Sequence, residues 1–305
     1  MQKVLIFGRV GQVGWELRHK LACLGEIVSV EYPEVDFTRP DTLRAVVRAE
    51  QPTVIVNAAA YTAVDKAEAE PDLAMAINGK APAVLAEEAR KLGSLLVHYS
   101  TDYVFNGSGT RPWLETDTPE PLNVYGKTKL AGDEAIQASG CDHLIFRTSW
   151  VYGARGSNFL LTMLRLARER SELSIVDDQV GAPTTSECIA QATACVLAQV
   201  LSPSGKGMAG RSGVYNLTNG GEASWFGFAQ SLLAKASVTL GTPLPHLKPI
   251  ITSDFPRPAP RPGNSRLSGQ KLEEVFGVKL PHWETALSLV LETMAECASP
   301  LATKA

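Results

Sequence analysis

Apolar runs of four to seven residues recur along the first half of the chain, and stretches of helical length lie between them. The runs are Val4-Leu5-Ile6-Phe7, Ile27-Val28-Ser29-Val30, Thr53-Val54-Ile55-Val56-Asn57, Leu95 to Thr101, and Leu144-Ile145-Phe146-Arg147. They are too short for core helices and rich in β-branched residues, so they predict strands buried on both faces. Helical patterns run from Trp15 to Leu24, from Ala81 to Leu92 and from Tyr125 to about Ser139, and Asp65 to Glu70 begins a further polar, helix-competent segment. Gly93 and Gly140 stand as the C-terminal stops of two of these. Strands alternating with helices predict an α/β fold with a doubly wound, right-handed parallel sheet, whose ligands bind at the carboxyl ends of the strands.

After Gly156 the pattern loosens. Asn158 to Arg170, Ser186 to Leu201 and Ser224 to Ala236 read as helices, Asp177 to Thr184 as a turn-rich loop, and Val214 to Leu217 as a strand. The segment 202–210 predicts a flexible surface loop. Pro256 to Pro262 carries four prolines with Arg257 and Arg261 between them. Two arginines on a stiff loop suit a diphosphate, and equally an exposed basic loop.

The first strand runs into Gly8-Arg9-Val10-Gly11-Gln12-Val13-Gly14, a G-x-x-G-x-x-G turn before a helix. Glycines permit the tight turn and let backbone amides approach a pyrophosphate at the helix N-terminus. Glu31 ends the second strand, 20 residues after Gly11, where a carboxylate would meet an adenosine ribose 2′-hydroxyl and favour NADH. No arginine follows it at once to receive a 2′-phosphate, Arg39 being the candidate, so NADH and NADPH both stay open. Asp36-Phe37, after a further short strand, would flank the adenine or form a solvated turn. These features predict a dinucleotide-binding Rossmann domain over 1–155, to which some later segments return, and a smaller C-terminal substrate-binding lobe over 156–305.

Tyr125 and Lys129 stand four residues apart, on one face of a helix. A phenol of ordinary pKa near 10 donates poorly at neutral pH, and an ammonium held beside it lowers that pKa and makes it a usable acid. Thr101 ends a strand 24 residues earlier and can hold a carbonyl oxygen. The three together predict a device that protonates an oxygen while another group attacks its carbon. His98, in mid-strand, reads as a packed core histidine.

Composition narrows the picture. The 305 residues are 45% apolar and 20% charged, ordinary for a globular chain, and the net charge of −3 offers no basic field for nucleic acid. No apolar run reaches the length of a membrane span. Met1-Gln2-Lys3 leads straight into a strand, which predicts no secretory leader. Cys23, Cys141, Cys188, Cys195 and Cys297 form no C-x-x-C pair and read as thiols in a reducing cytoplasm.

Gly8 to Gly14, Val54 to Lys66 (V-I-V-N-A-A-A-Y-T-A-V-D-K), Ser100 to Asn106 (S-T-D-Y-V-F-N), Leu122 to Gly132 (L-N-V-Y-G-K-T-K-L-A-G), Arg147 to Tyr152 (R-T-S-W-V-Y), Asp178 to Thr184 (D-Q-V-G-A-P-T), Arg261-Pro262 and Asn264-Ser265 run nearly end to end. Together they resemble the extended short-chain dehydrogenase/reductases, and within them the dTDP-4-dehydrorhamnose reductases. The resemblance implies hydride transfer from a reduced nicotinamide to C4 of a dTDP-4-keto-6-deoxyhexose. It makes Tyr125 the acid at O4, with Lys129 lowering its pKa and holding the nicotinamide ribose. Thr101 would bind the substrate near O4, and Asp102 and Trp150 would line the sugar site. Gly11, Gln12 and Val13 fall on the pyrophosphate, Glu31, Asp36 and Phe37 at the adenosine end, and Ala60, Tyr61 and Thr62 along the middle. Tyr61 stands where several such enzymes carry histidine. The second lobe would hold the thymidine diphosphate. Some members form homodimers around structural magnesium; Glu16, Glu187 and Glu292 take those positions here, and three solvated glutamates are the plain alternative. Rivals are a 4,6-dehydratase or 4-epimerase of the same fold, a non-catalytic subunit like the β subunit of methionine adenosyltransferase, and a dinucleotide-binding redox sensor. Asp102-Tyr103 after Thr101, where dehydratases place Asp-Glu, disfavours elimination.

Overall fold

In the computed structural model, which describes residues 2–202 and 207–298, the apolar runs become strands β1 (Lys3–Phe7), β2 (Glu26–Val30), β3 (Val54–Asn57), β4 (Leu95–Thr101) and β5 (His143–Thr148). Between them lie α1 (Gln12–Lys20), α2 (Pro40–Glu50), α3 (Val64–Ala67), α4 (Pro71–Met75), α5 (Ala81–Leu92) and α6 (Val124–Ser139). The chain continues through β6 (Val151–Tyr152), α7 (Phe159–Glu169), β7 (Glu172–Val176), β8 (Val180–Gly181), β9 (Thr184–Thr185), α8 (Ser186–Leu201), β10 (Gly213–Asn216), β11 (Ala223–Ser224), α9 (Trp225–Leu240), β12 (His246–Ile250), β13 (Asn264–Ser265), α10 (Gln270–Phe276) and α11 (Trp283–Ala298).

One six-stranded sheet, ordered β10-β5-β4-β3-β1-β2, carries the fold, and all of its pairings are parallel. Alternate residues of each strand enter opposite layers, as the strand period of two requires. Val4 and Ile6 pack with Leu17 of α1 and Ile189 and Leu197 of α8. Leu5 and Phe7 pack with Leu43 of α2, Leu85 of α5 and Ile136 of α6. Both faces are therefore covered, which is what makes the strands apolar throughout. α8, β10 and α10 return to this sheet from the second half of the chain. A separate core joins α7, α9, α11 and β7 around Phe228, Leu232 and Leu287.

Several boundaries differ from the sequence reading. α1 begins at Gln12, inside the glycine motif, and ends at Lys20. No strand precedes Asp36: residues 32–38 are turns, held by Thr38 N and Oγ1 donating to Asp36 Oδ1 at 2.8 and 2.7 Å. The predicted loop 202–210 falls partly on 203–206, outside the described residues; 207–210 are turns. The turn-rich stretch 177–184 contains β8, which pairs with β11 and β13 through two residues each.

α2 and α5 are clamped by one buried carboxylate. Arg48 Nε and Nη2 donate to Glu88 at 2.7 and 2.8 Å, and Lys91 Nζ donates at 3.0 Å. The Arg48 guanidinium, the largest cause, holds Glu88 well below its ordinary value, at about 2. A depressed carboxylate contributes its stability above the unfolded-state pKa of 4.5 and loses it as pH falls toward about 2. Thermal midpoints of wild type and Glu88→Gln should therefore differ at neutral pH and converge through that acid window. A gap that stays constant would contradict the clamp.

Candidate active site

α6 carries two of the candidate groups, and its seating sets their position. Asn123 caps it by accepting from Gly126 N at 2.8 Å, while its Nδ2 donates to Pro260 O at 2.8 Å. At Gly126 a Cβ would lie 2.2 Å from Tyr103 O, so only glycine lets the helix rest on the chain just past β4. Tyr125 is thereby brought to the end of that strand, edge-on to Tyr103 at 5.5 Å. Thr101 Oγ1 donates to Asp102 Oδ1 at 3.0 Å. Burial, the largest cause, pushes the Asp102 carboxyl up to about 6 against the hydrogen bonds from Ser265 and Thr101. Its Oδ2 is buried and has no hydrogen-bond partner among the described residues.

Lys129 is one helical turn further along α6 and almost wholly buried. Its ammonium donates to Tyr99 O at 2.6 Å and lies 3.1 Å from His98 Nε2. His98 Nδ1 in turn faces the Asn57 amide at 3.0 Å. Burial first, and Lys129 second, holds His98 well below its ordinary pKa, so the ring is neutral. The Tyr125 phenol is pushed above its ordinary range by burial, and Lys129 does not offset this. The expected lowering of that pKa is thus not a property of this geometry, because the ammonium is turned to the Tyr99 carbonyl and the His98 ring.

The glycine turn sits at the end of β1. Gly8 has φ +89°, and a Cβ there would lie 2.7 Å from Ala59 N; a Cβ on Gly14 would lie 2.0 Å from Gly8 O. Gly11 caps α1 without a side-chain hydrogen bond, which leaves the first-turn amides free for an anion. Gln12 Oε1 accepts from Asn158 Nδ2 at 2.8 Å, and Val13 packs against the core. Glu31, after β2, accepts from Val10 N at 3.4 Å. Phe37 meets Phe7 edge-on at 5.8 Å. Ala60, Tyr61 and Thr62 follow β3; Tyr61 N donates to Asn78 Oδ1 at 2.8 Å, and the Tyr61 phenol donates to Glu70. A cradle of close glycines, free amides and a carboxylate 20 residues on fits a dinucleotide.

Trp150 leaves β5 with φ +49° and stacks on Trp225 at 3.6 Å, against Gly181. Trp225 lines a cleft of about 860 Å³ together with Tyr103, Gln179, Arg257 and Arg261. Both arginines converge on Asp65, at 3.7 and 2.9 Å. The two sequence readings of this loop are thus joined: its arginines face the cleft, already held by one carboxylate.

Glu16 and Glu187 lie outside this edge. They are neighbours on α1 and α8, close enough for Glu187 to raise the Glu16 pKa further after burial, and Lys20 Nζ pairs with Glu187 at 2.7 Å. Glu292, on α11, does not join them: among the described residues no three acidic, histidine or cysteine groups could hold a metal.

Sequence reasoning missed four groups. Arg9 lies beside the end of β2, donating to Ser29 O at 3.0 Å and pairing with Glu34 at 2.8 Å. It is the cation the search after Glu31 did not find, and it comes from within the glycine motif. Asn78 sits in a wide π turn (Ala76–Lys80), for which no sequence signal exists. His98 was read as packing alone. Asp133, four residues past Lys129, had a signal in its spacing.

Residues 1–296 match the family profile described as the RmlD substrate binding domain. The chain is 48% identical over 295 residues to the dTDP-4-dehydrorhamnose reductase of Burkholderia thailandensis, covering 96% of this chain and 99% of that protein. The structure of a dTDP-4-dehydrorhamnose reductase from Clostridium acetobutylicum matches with a TM-score of 0.87 at 34% identity, over 96% of this chain and 99% of that one. A dTDP-4-dehydrorhamnose reductase from Bacillus anthracis, solved in complex with NADP, matches at 0.86 and 33%, over 95% and 99%.

Proposed function

The chain belongs to the RmlD substrate binding domain family, and on that premise we propose that it is a nicotinamide-dependent oxidoreductase that reduces the C4 keto group of dTDP-4-dehydro-L-rhamnose to give dTDP-L-rhamnose. The observation that carries the reading is the meeting of Thr101, at the end of β4, with Tyr125 and, one turn along α6, Lys129. A reduced nicotinamide, when bound, supplies the hydride that C4 accepts. The electron pair of the C4 carbonyl then moves to O4, and Tyr125 gives its phenolic proton to that oxygen.

Thr101, its hydroxyl turned from Asp102 Oδ1 to O4, gives the developing charge a hydrogen-bond donor. Burial keeps Tyr125 protonated until that charge appears. Lys129 holds the nicotinamide ribose hydroxyls. The free Oδ2 of Asp102 accepts from a sugar hydroxyl, and the Trp150–Trp225 stack walls the sugar. The thymidine diphosphate lies in the cleft, where its charge competes with Asp65 for Arg257 and Arg261. Gly11, Gln12 and Val13 present the pyrophosphate site. Glu31 suits an adenosine ribose hydroxyl and Arg9 a 2′-phosphate, which supports use of both NADH and NADPH.

The reading takes the enzyme to be cytoplasmic, which its five free thiols support. A homodimer around structural magnesium is also part of the proposal. Glu16 and Glu187 offer paired carboxylates of the kind magnesium accepts alongside water, and in the proposed dimer a second copy adds glutamates of its own, since no third such group joins them among the described residues.

Tyr125→Phe should keep cofactor binding and lose at least about 10²-fold in turnover, the usual scale for a positioned general acid. Near-wild-type turnover, followed as loss of reduced-nicotinamide absorbance, would contradict the mechanism. Solution mass should show a dimer that dissociates with chelator; a monomer under both conditions would remove the glutamate site.

A further inference from the structure

Tyr125, Lys129 and Asp133 stand at i, i+4 and i+8 of α6, so their side chains form one stripe along its inner face. Asp133 is fully buried. A carboxylate so placed is costly unless its charge is balanced and its lone pairs are used. Ser100 Oγ donates to Oδ2 at 2.7 Å, and Arg147 Nε reaches the same oxygen at 3.5 Å. Oδ1 has no hydrogen-bond partner among the described residues, and neither has Arg147 Nη1. The guanidinium lies instead over the Phe105 ring, 5.2 Å from its centroid. Arginine–carboxylate pairs frequently close through two parallel hydrogen bonds. This pair makes one long contact and leaves a carboxylate oxygen turned elsewhere. His98 Nε2 stands 3.9 Å from that oxygen and 3.1 Å from Lys129 Nζ.

We infer that Asp133 is a positioning residue, the buried anion that keeps Lys129 charged from behind the active site. The inference rests on the proposed role of Lys129 at the nicotinamide ribose. The groups acting on Lys129 are the neutral His98 ring and the Tyr99 carbonyl from β4 and Asp133 on its own helix; Arg147 from β5 acts on Asp133, and Asp102 acts on Tyr125 from beyond the end of β4. Burial draws the Lys129 ammonium down to about 8, and Asp133 is the group that opposes it. The neutral His98 ring lies between the two and adds no charge of its own. Arg147 can neutralise Asp133 but cannot replace it, since it adds a second buried cation. Without the carboxylate, Lys129 loses its proton at lower pH. Its charge is present below its pKa and lost as pH rises, so whatever needs that charge fails earlier on the alkaline side.

The test measures NADPH affinity by cofactor fluorescence across roughly pH 7 to 10, and kcat/KM over the same span, for wild type, Asp133→Asn and Asp133→Glu. The alkaline loss of affinity and of kcat/KM should move down by about one pH unit in Asp133→Asn. The conservative Asp133→Glu, which keeps the anion, should restore the wild-type limb. An Asp133→Asn limb at the wild-type pH would overturn the inference. If that variant does not fold, the double substitution Asp133→Asn with Arg147→Met replaces the whole buried pair by neutral groups and carries the same comparison. The affinity measurement needs no sugar substrate. Failure of wild type to turn over the keto sugar would therefore count against the proposed reaction alone.

Discussion

A lysine ammonium buried at the carboxyl edge of a parallel sheet is the constraint on which the site depends. Taken from water into the protein, it must find acceptors and a counter-charge or lose its proton. Lys129 has the Tyr99 carbonyl and the His98 ring as direct partners, and Asp133 as the nearby anion. Those partners come from β4 and from α6 itself, so strand and helix must lie very close. Gly126 allows it, since a Cβ there would lie 2.2 Å from Tyr103 O just past β4; Gly132 likewise seats α6 on the π turn, where a Cβ would lie 2.2 Å from Asn78 O. The same closeness that satisfies Lys129 brings the Tyr125 phenol onto Thr101.

The sheet supplies the rest by its direction. All six strands are parallel, so their carboxyl ends fall on one side, and each loop leaving that edge contributes a different piece of chemistry. β1 gives the glycine cradle, β2 Glu31, β3 the Ala60–Thr62 stretch, β4 Thr101 and Asp102, and β5 Trp150. The second core meets this edge through Trp225, which stacks on Trp150 and, with the arginine loop, lines a cleft that Tyr103 also borders. Asp65 holds both arginines in the cleft at once, so the cations are aimed before any anion arrives.

The strands and helix ends of the sheet were legible in the sequence because their signals are local. Leu95 to Thr101 and Ser186 to Leu201 are bounded by the predicted residues, and Gly93 and Gly140 adopt the left-handed conformation that stops a helix. Non-local partners were not legible. Arg9 gained its meaning from the end of β2, twenty residues away in the chain. β8 and β13 pair through two residues each, too few to leave a period. His98 was read by its apolar neighbours, and its ring nitrogens turned out to face Lys129 and Asn57. Asp133 stood in plain sight at helical spacing from Lys129, but a carboxylate on a helix reads as solvated until burial shows otherwise.

The most direct test of the central claim follows the hydride itself. Wild-type enzyme is given reduced nicotinamide deuterated at its C4, together with dTDP-4-dehydro-L-rhamnose, and the product is read by NMR. The account predicts one deuterium at C4 of the rhamnose ring and none drawn from solvent there. Label retained on the cofactor, or C4 hydrogen taken from solvent, would contradict it.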